Sequence, residues 1–288
     1  MAYQSVFRPG LFQDQTILVT GGGSGIGRCT AHELAALGAQ VLITGRKPEK
    51  LEKTAAEIRE DGGRASFYTF DIRDEDAVKA AVKQMLAEHG AIHGLVNNAG
   101  GQYPMPLAQI NKKGWEAVVA NNLTGGFLVA RECYTQHMKK HGGTIVNMLA
   151  DMWGGMPGMG HSGAARAGML NFTETAALEW AVSGVRVNAV APGYVASSGM
   201  DHYDPVFAKE VIPRLSQIAP LKRLAEEAEV SAAIVFLLSP AAAFITGTCV
   251  KIDGGSSLNA KAFPLLDHDK SRPYTGFHRA VKPKAVKP

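Results

Sequence analysis

At 288 residues, 46% hydrophobic and 19% charged, the chain holds enough apolar material for one large core, which excludes a disordered or fibrous protein. Its formal charge of +4 gathers at one end: from Lys261 onward seven Lys/Arg accompany two Asp, leaving residues 1–260 at −1, which argues against a nucleic-acid-binding body. No apolar run reaches the ~18–20 residues needed to cross a bilayer, and MAYQSVFRPG lacks the charged-then-apolar layout of a signal peptide.

The expectation is a cytoplasmic protein with no membrane or nucleic-acid partner. Cys29, Cys133 and Cys249 have no C-x-x-C spacing, so they read as free thiols in a reducing compartment, with no metal site. The basic tail, about residues 261–288, reads as a solvated terminus.

In chain order, short β-branched runs alternate with longer amphipathic stretches. Thr16–Thr20 reads as a strand followed by a helix at Gly27–Leu37, and Gln40–Thr44 with Lys50–Glu60 and Ala65–Phe70 with Glu75–His89 repeat the pair. His93–Asn97 precedes a long helix at Trp115–Lys139, and Thr144–Met148 precedes one at Ala164–Val182. Arg186–Val190 comes next, then Tyr194–Gln217, which breaks the alternation with Pro205 and Pro213 and reads either as a substrate-covering lid or as a surface excursion. A helix at Glu226–Leu238 and a strand at Cys249–Ile252 close the series. This pattern predicts an α/β chain, a single-domain Rossmann fold over residues 1–288 with a doubly wound, seven-stranded parallel sheet and helices on both faces.

The first strand runs into Thr20-Gly21-Gly22-Gly23-Ser24-Gly25-Ile26-Gly27 and then directly into a helix. Glycines there allow a tight turn and let backbone N–H groups approach a pyrophosphate, which rests at the positive end of the helix. The strand–turn–helix context makes Gly21, Ser24, Gly25, Ile26 and Gly27 a candidate dinucleotide site. The second strand ends in Gly45-Arg46-Lys47, where a site for NAD carries a carboxylate to take the ribose hydroxyls. Two cations and no carboxylate favour the 2′-phosphate of NADP(H).

The spacing of that loop, with Asn97-Asn98-Ala99-Gly100, Asn122-Leu123-Thr124-Gly125 and Pro192-Gly193 following in order, resembles the short-chain dehydrogenase/reductase family from about Gln13 to Leu258. The resemblance implies that Asp71 and Ile72 lie beside the adenine and that Asn98, Ala99 and Gly100 line the cofactor groove. It places Pro192, Gly193 and Val195 along the nicotinamide carboxamide and Asn122 among the catalytic residues. It also implies the strand order 3-2-1-4-5-6-7 and a homo-oligomer, dimer or tetramer.

Ketone-reducing members of that family use a Ser at the exit of the fifth strand and a Tyr-x-x-x-Lys on the next helix. Here Ala150 stands in the Ser position, Ser162 in the Tyr position and Arg166 in the Lys position. A serine hydroxyl is a far weaker acid than a phenol with pKa near ~10, so protonating an alkoxide is poorly served. Reducing a double bond conjugated to a thioester asks less of the oxygen. Hydride arrives at the β-carbon, charge moves to an enolate oxygen held by fixed donors, and the α-carbon takes a proton from water. Ser162 and Arg166, four apart on one helical face, suit that task; the ordinary alternative is that Ser162 caps a helix beginning near Gly163.

The run from His161 to Gly168, with Gly100-Gly101-Gln102 before it, is similar to the peroxisomal trans-2-enoyl-CoA reductases, and in logic to the 2,4-dienoyl-CoA reductases. The resemblance implies NADPH-dependent reduction of a 2-enoyl thioester, with Asn122, Ser162 and Arg166 as the catalytic set. Two alternatives stand beside it. One is a carbonyl reductase or alcohol dehydrogenase, acting for example on an aliphatic or terpenoid substrate, with a relocated acid drawn from Tyr103, His161 or Tyr194. The other is an inactive NADP-binding protein.

Overall fold

The computed structural model describes residues 2–202, 204–258 and 265–286. Seven parallel strands form one sheet in the order β3-β2-β1-β4-β5-β6-β7. They are β1 Thr16–Thr20, β2 Gln40–Gly45, β3 Arg64–Thr69, β4 Gly94–Asn97, β5 Gly143–Met148, β6 Val185–Pro192 and β7 Cys249–Ile252. Each lies within two residues of its predicted bounds. The helices are α1 Gly25–Ala36, α2 Pro48–Glu60, α3 Glu75–His89, α4 Lys112–Val119, α5 Gly125–Cys133, α6 Lys139–His141, α7 Gly160–Trp180, α8 Pro205–Glu210, α9 Ile212–Ile218 and α10 Glu227–Leu238.

Alternate residues of each central strand face opposite layers, which is why these runs are apolar throughout. Ile17 and Val19 of β1 enter a core with Leu34 of α1, Ile58 of α2 and Ile234 of α10. Leu18 between them enters a second core with Val82 of α3, Val129 of α5 and Ala177 of α7. Strand order reverses between β1 and β4, and this opens a crevice at the carboxyl ends of the strands.

Three expectations change in detail. The long helix expected from Trp115 begins at Lys112 and is interrupted by π turns at Ala120–Thr124 and Tyr134–Met138, a geometry that often marks functional positions. Helix α7 begins at Gly160 rather than Ala164, so His161 and Ser162 lie within its first turn. The lid segment forms a 3-10 turn at Ser198–His202 followed by α8 and α9, in which Pro205 and Pro213 sit at the first and second positions, where a missing N–H costs nothing.

The tail is not a solvated terminus. Phe277 is 4% exposed and packs with Tyr3, Cys29 and Ala228, while Arg279 bonds both carboxylate oxygens of Asp61, at 3.0 and 2.8 Å. Lys282 pairs with Glu226, and the Lys284 N–H donates to Asp201 Oδ1 at 2.8 Å. Ala285 and Val286 pack against the lid cluster of Met200, Ile212 and Leu215. A charge count along the chain cannot register that acidic groups distant in sequence converge to receive this segment. Lys261 and Lys287 lie outside the described residues.

Candidate active site

At the exit of β1, Gly21 has φ +67°, and a Cβ there would lie 2.9 Å from Asn98 Nδ2. Asn98 comes that close because its Nδ2 donates to Thr20 O at 2.9 Å, and Thr20 Oγ1 accepts from the N–H groups of Asn98 and Ala99 at 3.0 and 2.9 Å. Thr20 thereby ties the exits of β1 and β4, a role with no sequence signal of its own. Gly27 is buried against Gly21 O, whereas Gly25, at φ +57°, meets only Glu227 Oε1 at 3.9 Å and leaves an open cradle. Ser24 is the extended N-cap of α1, its hydroxyl makes no capping bond, and the first turn holds no acidic residue. Ile26 beside it is half-buried against the core of α1, α2 and α10.

Arg46 and Lys47, at the exit of β2, are exposed. Beyond β3, Asp71 accepts from the backbone N–H, Nε and Nη2 of Arg73. That bonding, with the nearby charge of Arg46, holds its carboxyl below the usual carboxylate range against the opposing effect of burial. Arg73 thus adds a third cation that sequence reasoning missed. Ile72 is buried, and Asn98, Ala99 and Gly100 follow β4 in the crevice. Farther along the edge, Pro192 ends β6, Gly193 sits so close to Asp253 that a Cβ would lie 2.9 Å from its Cα, and Val195 bridges Ala225.

The positions expected from the sequence to be catalytic converge. Asn122, 2% exposed in the first π turn, accepts from the Gly101 N–H at 2.9 Å and donates to Gly101 O at 3.0 Å. Arg166 reaches across from α7: Nη1 donates to Met148 O at 2.5 Å and Nη2 to Asn122 Oδ1 at 3.4 Å. Its Nε is buried without a partner, and burial lowers the guanidinium to about 10. Ser162 is fully buried one turn earlier and donates to Gln102 Oε1, so its side chain does not serve as a helix cap. Gln102 belongs to a matched run but has no role assigned by it.

Ala150, past the end of β5, offers no hydroxyl. His161 is also fully buried. Its Nδ1 accepts from the Ser162 N–H at 2.9 Å, its Nε2 has no partner, and its ring meets the edge of Tyr103 at 4.8 Å. Tyr194 instead lines a cavity of about 540 Å³ with Pro220, Leu221, Arg223 and Lys251. Among the described residues no three His, Cys, Asp or Glu are grouped to hold a metal, and no helix is long and apolar enough to cross a membrane.

A nicotinamide dinucleotide fits these features. The open cradle at Gly25, the uncapped Ser24 and the orphaned Nε of Arg166 are a space and two polar groups awaiting partners. The family model described as enoyl-(acyl carrier protein) reductase matches residues 21–257. A probable 2,4-dienoyl-CoA reductase of Bacillus subtilis is 36% identical over 87% of this chain and 100% of its own length. The chain belongs to the short-chain dehydrogenase/reductase family.

As a short-chain dehydrogenase/reductase it is an NAD(P)-dependent oxidoreductase. A peroxisomal 2,4-dienoyl-CoA reductase of Danio rerio is 32% identical over 90% of this chain and 86% of its own. The solved citronellol catabolism dehydrogenase of Pseudomonas aeruginosa is 64% identical, with a TM-score of 0.80 over 88% of this chain and 100% of that one. Within this short-chain dehydrogenase/reductase, the pair formed by Ser162 and Gln102 is neutral and the buried cation beside it is uncompensated. Such a set can polarise an oxygen and stabilise negative charge on it.

Proposed function

We propose that this enzyme uses NADPH to reduce the conjugated C=C bond of a branched aliphatic 2-enoyl thioester. The observation that carries the proposal is that Ser162, in the position of the family's tyrosine, is bonded to a neutral amide and stands beside buried Arg166. This favours holding an enolate oxygen over protonating an alkoxide. The dienoyl-CoA reductases among its relatives and the family model described as enoyl-(acyl carrier protein) reductase support the thioester, and the 64%-identical relative named for the catabolism of citronellol, a branched terpenoid alcohol, supports the branched chain.

In this proposal Gly21, Ser24, Gly25, Ile26 and Gly27 hold the pyrophosphate and Arg46 and Lys47 the 2′-phosphate. Asp71 and Ile72 border the adenine, and Asn98, Ala99 and Gly100 line the groove. Pro192, Gly193 and Val195 border the carboxamide. Arg166 holds the nicotinamide ribose through its unpartnered Nε, and Asn122 fixes Arg166 and the Gly101 backbone. When bound, NADPH supplies hydride to the β-carbon. The protein's own donors steady the charge that reaches the thioester oxygen, and water protonates the α-carbon.

The test follows NADPH oxidation with crotonyl-CoA, longer and branched 2-enoyl-CoAs, aldehydes and ketones. Turnover confined to the enoyl thioesters is expected, and turnover confined to carbonyls overturns the proposal. A carbonyl-reducing or alcohol-oxidising enzyme is the second reading. It is favoured by the partnerless Nε2 of His161 and by the word dehydrogenase in the name of that 64%-identical relative. It requires that His161→Ala abolish carbonyl turnover.

We further propose a cytoplasmic homo-oligomer, a dimer or tetramer. Leu178, Val182 and Phe127, on or beside the outer faces of α7 and α5, are 82%, 90% and 37% exposed, a concentration of apolar surface that association would cover.

A further inference from the structure

Ser162 has one hydroxyl proton, and Gln102 Oε1 accepts it. The hydroxyl in the tyrosine position is therefore already engaged. The amide that accepts it keeps two N–H donors, and among the described residues none accepts from Gln102 Nε2. Nor is that nitrogen one of the sealed, unpartnered atoms of the interior: Gln102 is only half-buried and borders the crevice.

The amide is held by Ser162, and the backbone that leads to it is held as well. The preceding residue, Gly101, is clamped through its N–H and its C=O by the Asn122 side chain, at 2.9 and 3.0 Å. Asn122 is bonded to Arg166, and Arg166 to Met148 O at the exit of β5. Ser162 and Arg166 lie one turn apart on α7, so the bonds join α7, the π turn and the exits of β4 and β5, and Gln102 is a half-buried side chain among fully or nearly buried ones. A donor fixed before substrate arrives needs no reorganisation when charge develops, which is where such groups contribute most.

We propose that the Gln102 carboxamide N–H is the donor to the substrate carbonyl oxygen, and that Ser162 is a positioning residue that holds the opposite end of that amide. The proposal rests on the enoyl thioester reading above. A hydride forms the new C–H bond at the β-carbon, the C=C π pair moves to join the α-carbon to the carbonyl carbon, and the C=O π pair moves to oxygen. Gln102 supplies a hydrogen bond to that oxygen and keeps its proton. The C=O bond re-forms as the α-carbon takes a proton from water, the hydroxide left behind is neutralised by solvent, and the nicotinamide dinucleotide leaves oxidised. Because an amide does not titrate between about pH 5 and 10, no ionisation of this donor shapes the rate.

The experiment uses the full-length enzyme with NADP+ and crotonyl-CoA carrying ¹³C at the thioester carbonyl, a complex that cannot turn over. The carbonyl stretch is read by infrared difference spectroscopy beside steady-state kinetics of NADPH oxidation. Expected for Gln102→Leu is loss of most of the carbonyl down-shift and a fall in kcat of about 10²–10³-fold, the scale for losing one oxyanion donor, with NADPH affinity by fluorescence unchanged. Ser162→Ala is expected to keep part of the down-shift and lose about tenfold in kcat. Gln102→Glu should acquire a pH profile, with activity falling as its new carboxyl ionises.

A Ser162→Ala variant that abolishes the shift while Gln102→Leu retains it would place the donor at Ser162 and overturn the proposal. If wild-type enzyme neither binds nor reduces crotonyl-CoA or branched enoyl-CoAs but reduces a ketone, the function above fails independently. The same spectrum of that bound ketone then decides Gln102: a shift lost in Gln102→Leu upholds the donor, and one lost only in Ser162→Ala or His161→Ala refutes it.

Discussion

Ser162, expected at the position where ketone-reducing members of the family hold a phenol, would alter which reactions are within reach, and the charges around it narrow the choice further. Arg166 carries its charge in a site where no carboxylate among the described residues offsets it, and burial already lowers it to about 10. Such a cation is stabilised by whatever electron density arrives beside it. At the other end of the crevice the proposed 2′-phosphate contact is simpler to isolate. Arg46→Ala is expected to weaken NADPH binding by about tenfold or more, the worth of a charge-assisted hydrogen bond, while leaving NADH nearly unchanged. Fluorescence titration of both dinucleotides checks this, and equal weakening of the two would remove the phosphate assignment.

Glu227 offers a second test at this scale. Its carboxyl is 5% exposed, lies 3.9 Å from the open side of Gly25, and burial raises it from 4.5 to about 7, with Glu226 adding to the rise and Arg28 and Lys282 opposing it. A carboxyl whose folded pKa is raised favours the folded state most when protonated, so its contribution is lost as pH climbs from 4.5 through about 7. Glu227→Gln is expected to raise Tm at pH 8 more than at pH 5, and to strengthen dinucleotide binding at pH 8 by removing an anion beside the pyrophosphate cradle. Thermal melts at the two pH values check the first part, and a uniform shift at both would refute the assignment.

Among the elements, the C-terminal segment does more than end the chain. It crosses α1 through Phe277, whose ring lies under Arg28 at 5.0 Å, and reaches the lid with Ala285 and Val286. Truncating a buried aromatic typically costs ~3–5 kcal/mol, so Phe277→Ala should lower the urea midpoint markedly and speed alkylation of Cys29, which lies beneath it. Asp61 anchors the same segment. Burial pushes its carboxyl up, but the Arg279 hydrogen bonds and the charges of His278 and His32 outweigh that and hold it low. A lowered carboxylate stabilises above its unfolded pKa, so the docking contribution is expected to fade as pH drops through the acid carboxylate range. Cys29 labelling across that range reads the release, and labelling that stays slow at low pH would show that Phe277 alone holds the segment.

For the whole molecule, the exposed apolar faces of α5 and α7 lead to a further test. Leu178→Asp combined with Val182→Asp should convert an oligomer to smaller species by sedimentation without changing the far-UV spectrum, because both side chains are more than 80% exposed in the single chain. An unaltered sedimentation coefficient would move the interface elsewhere.

Strand and helix periods, the glycine loop and the order of the four motifs were legible along the chain because each depends on neighbours a few residues apart. So were Ala150, Ser162 and Arg166, at the positions where the family resemblance expects serine, tyrosine and lysine. The partners of the residues that replace them were decided only in three dimensions. Gln102 meets Ser162 from 60 residues away, Asn122 joins Gly101 to Arg166, Arg73 turns back onto Asp71, and Arg279 finds Asp61 across 218 residues. Local pattern records which side a residue faces. Which donor meets which acceptor depends on how the crossovers bring strand exits together, and that is set by packing of the whole sheet between its two helical layers.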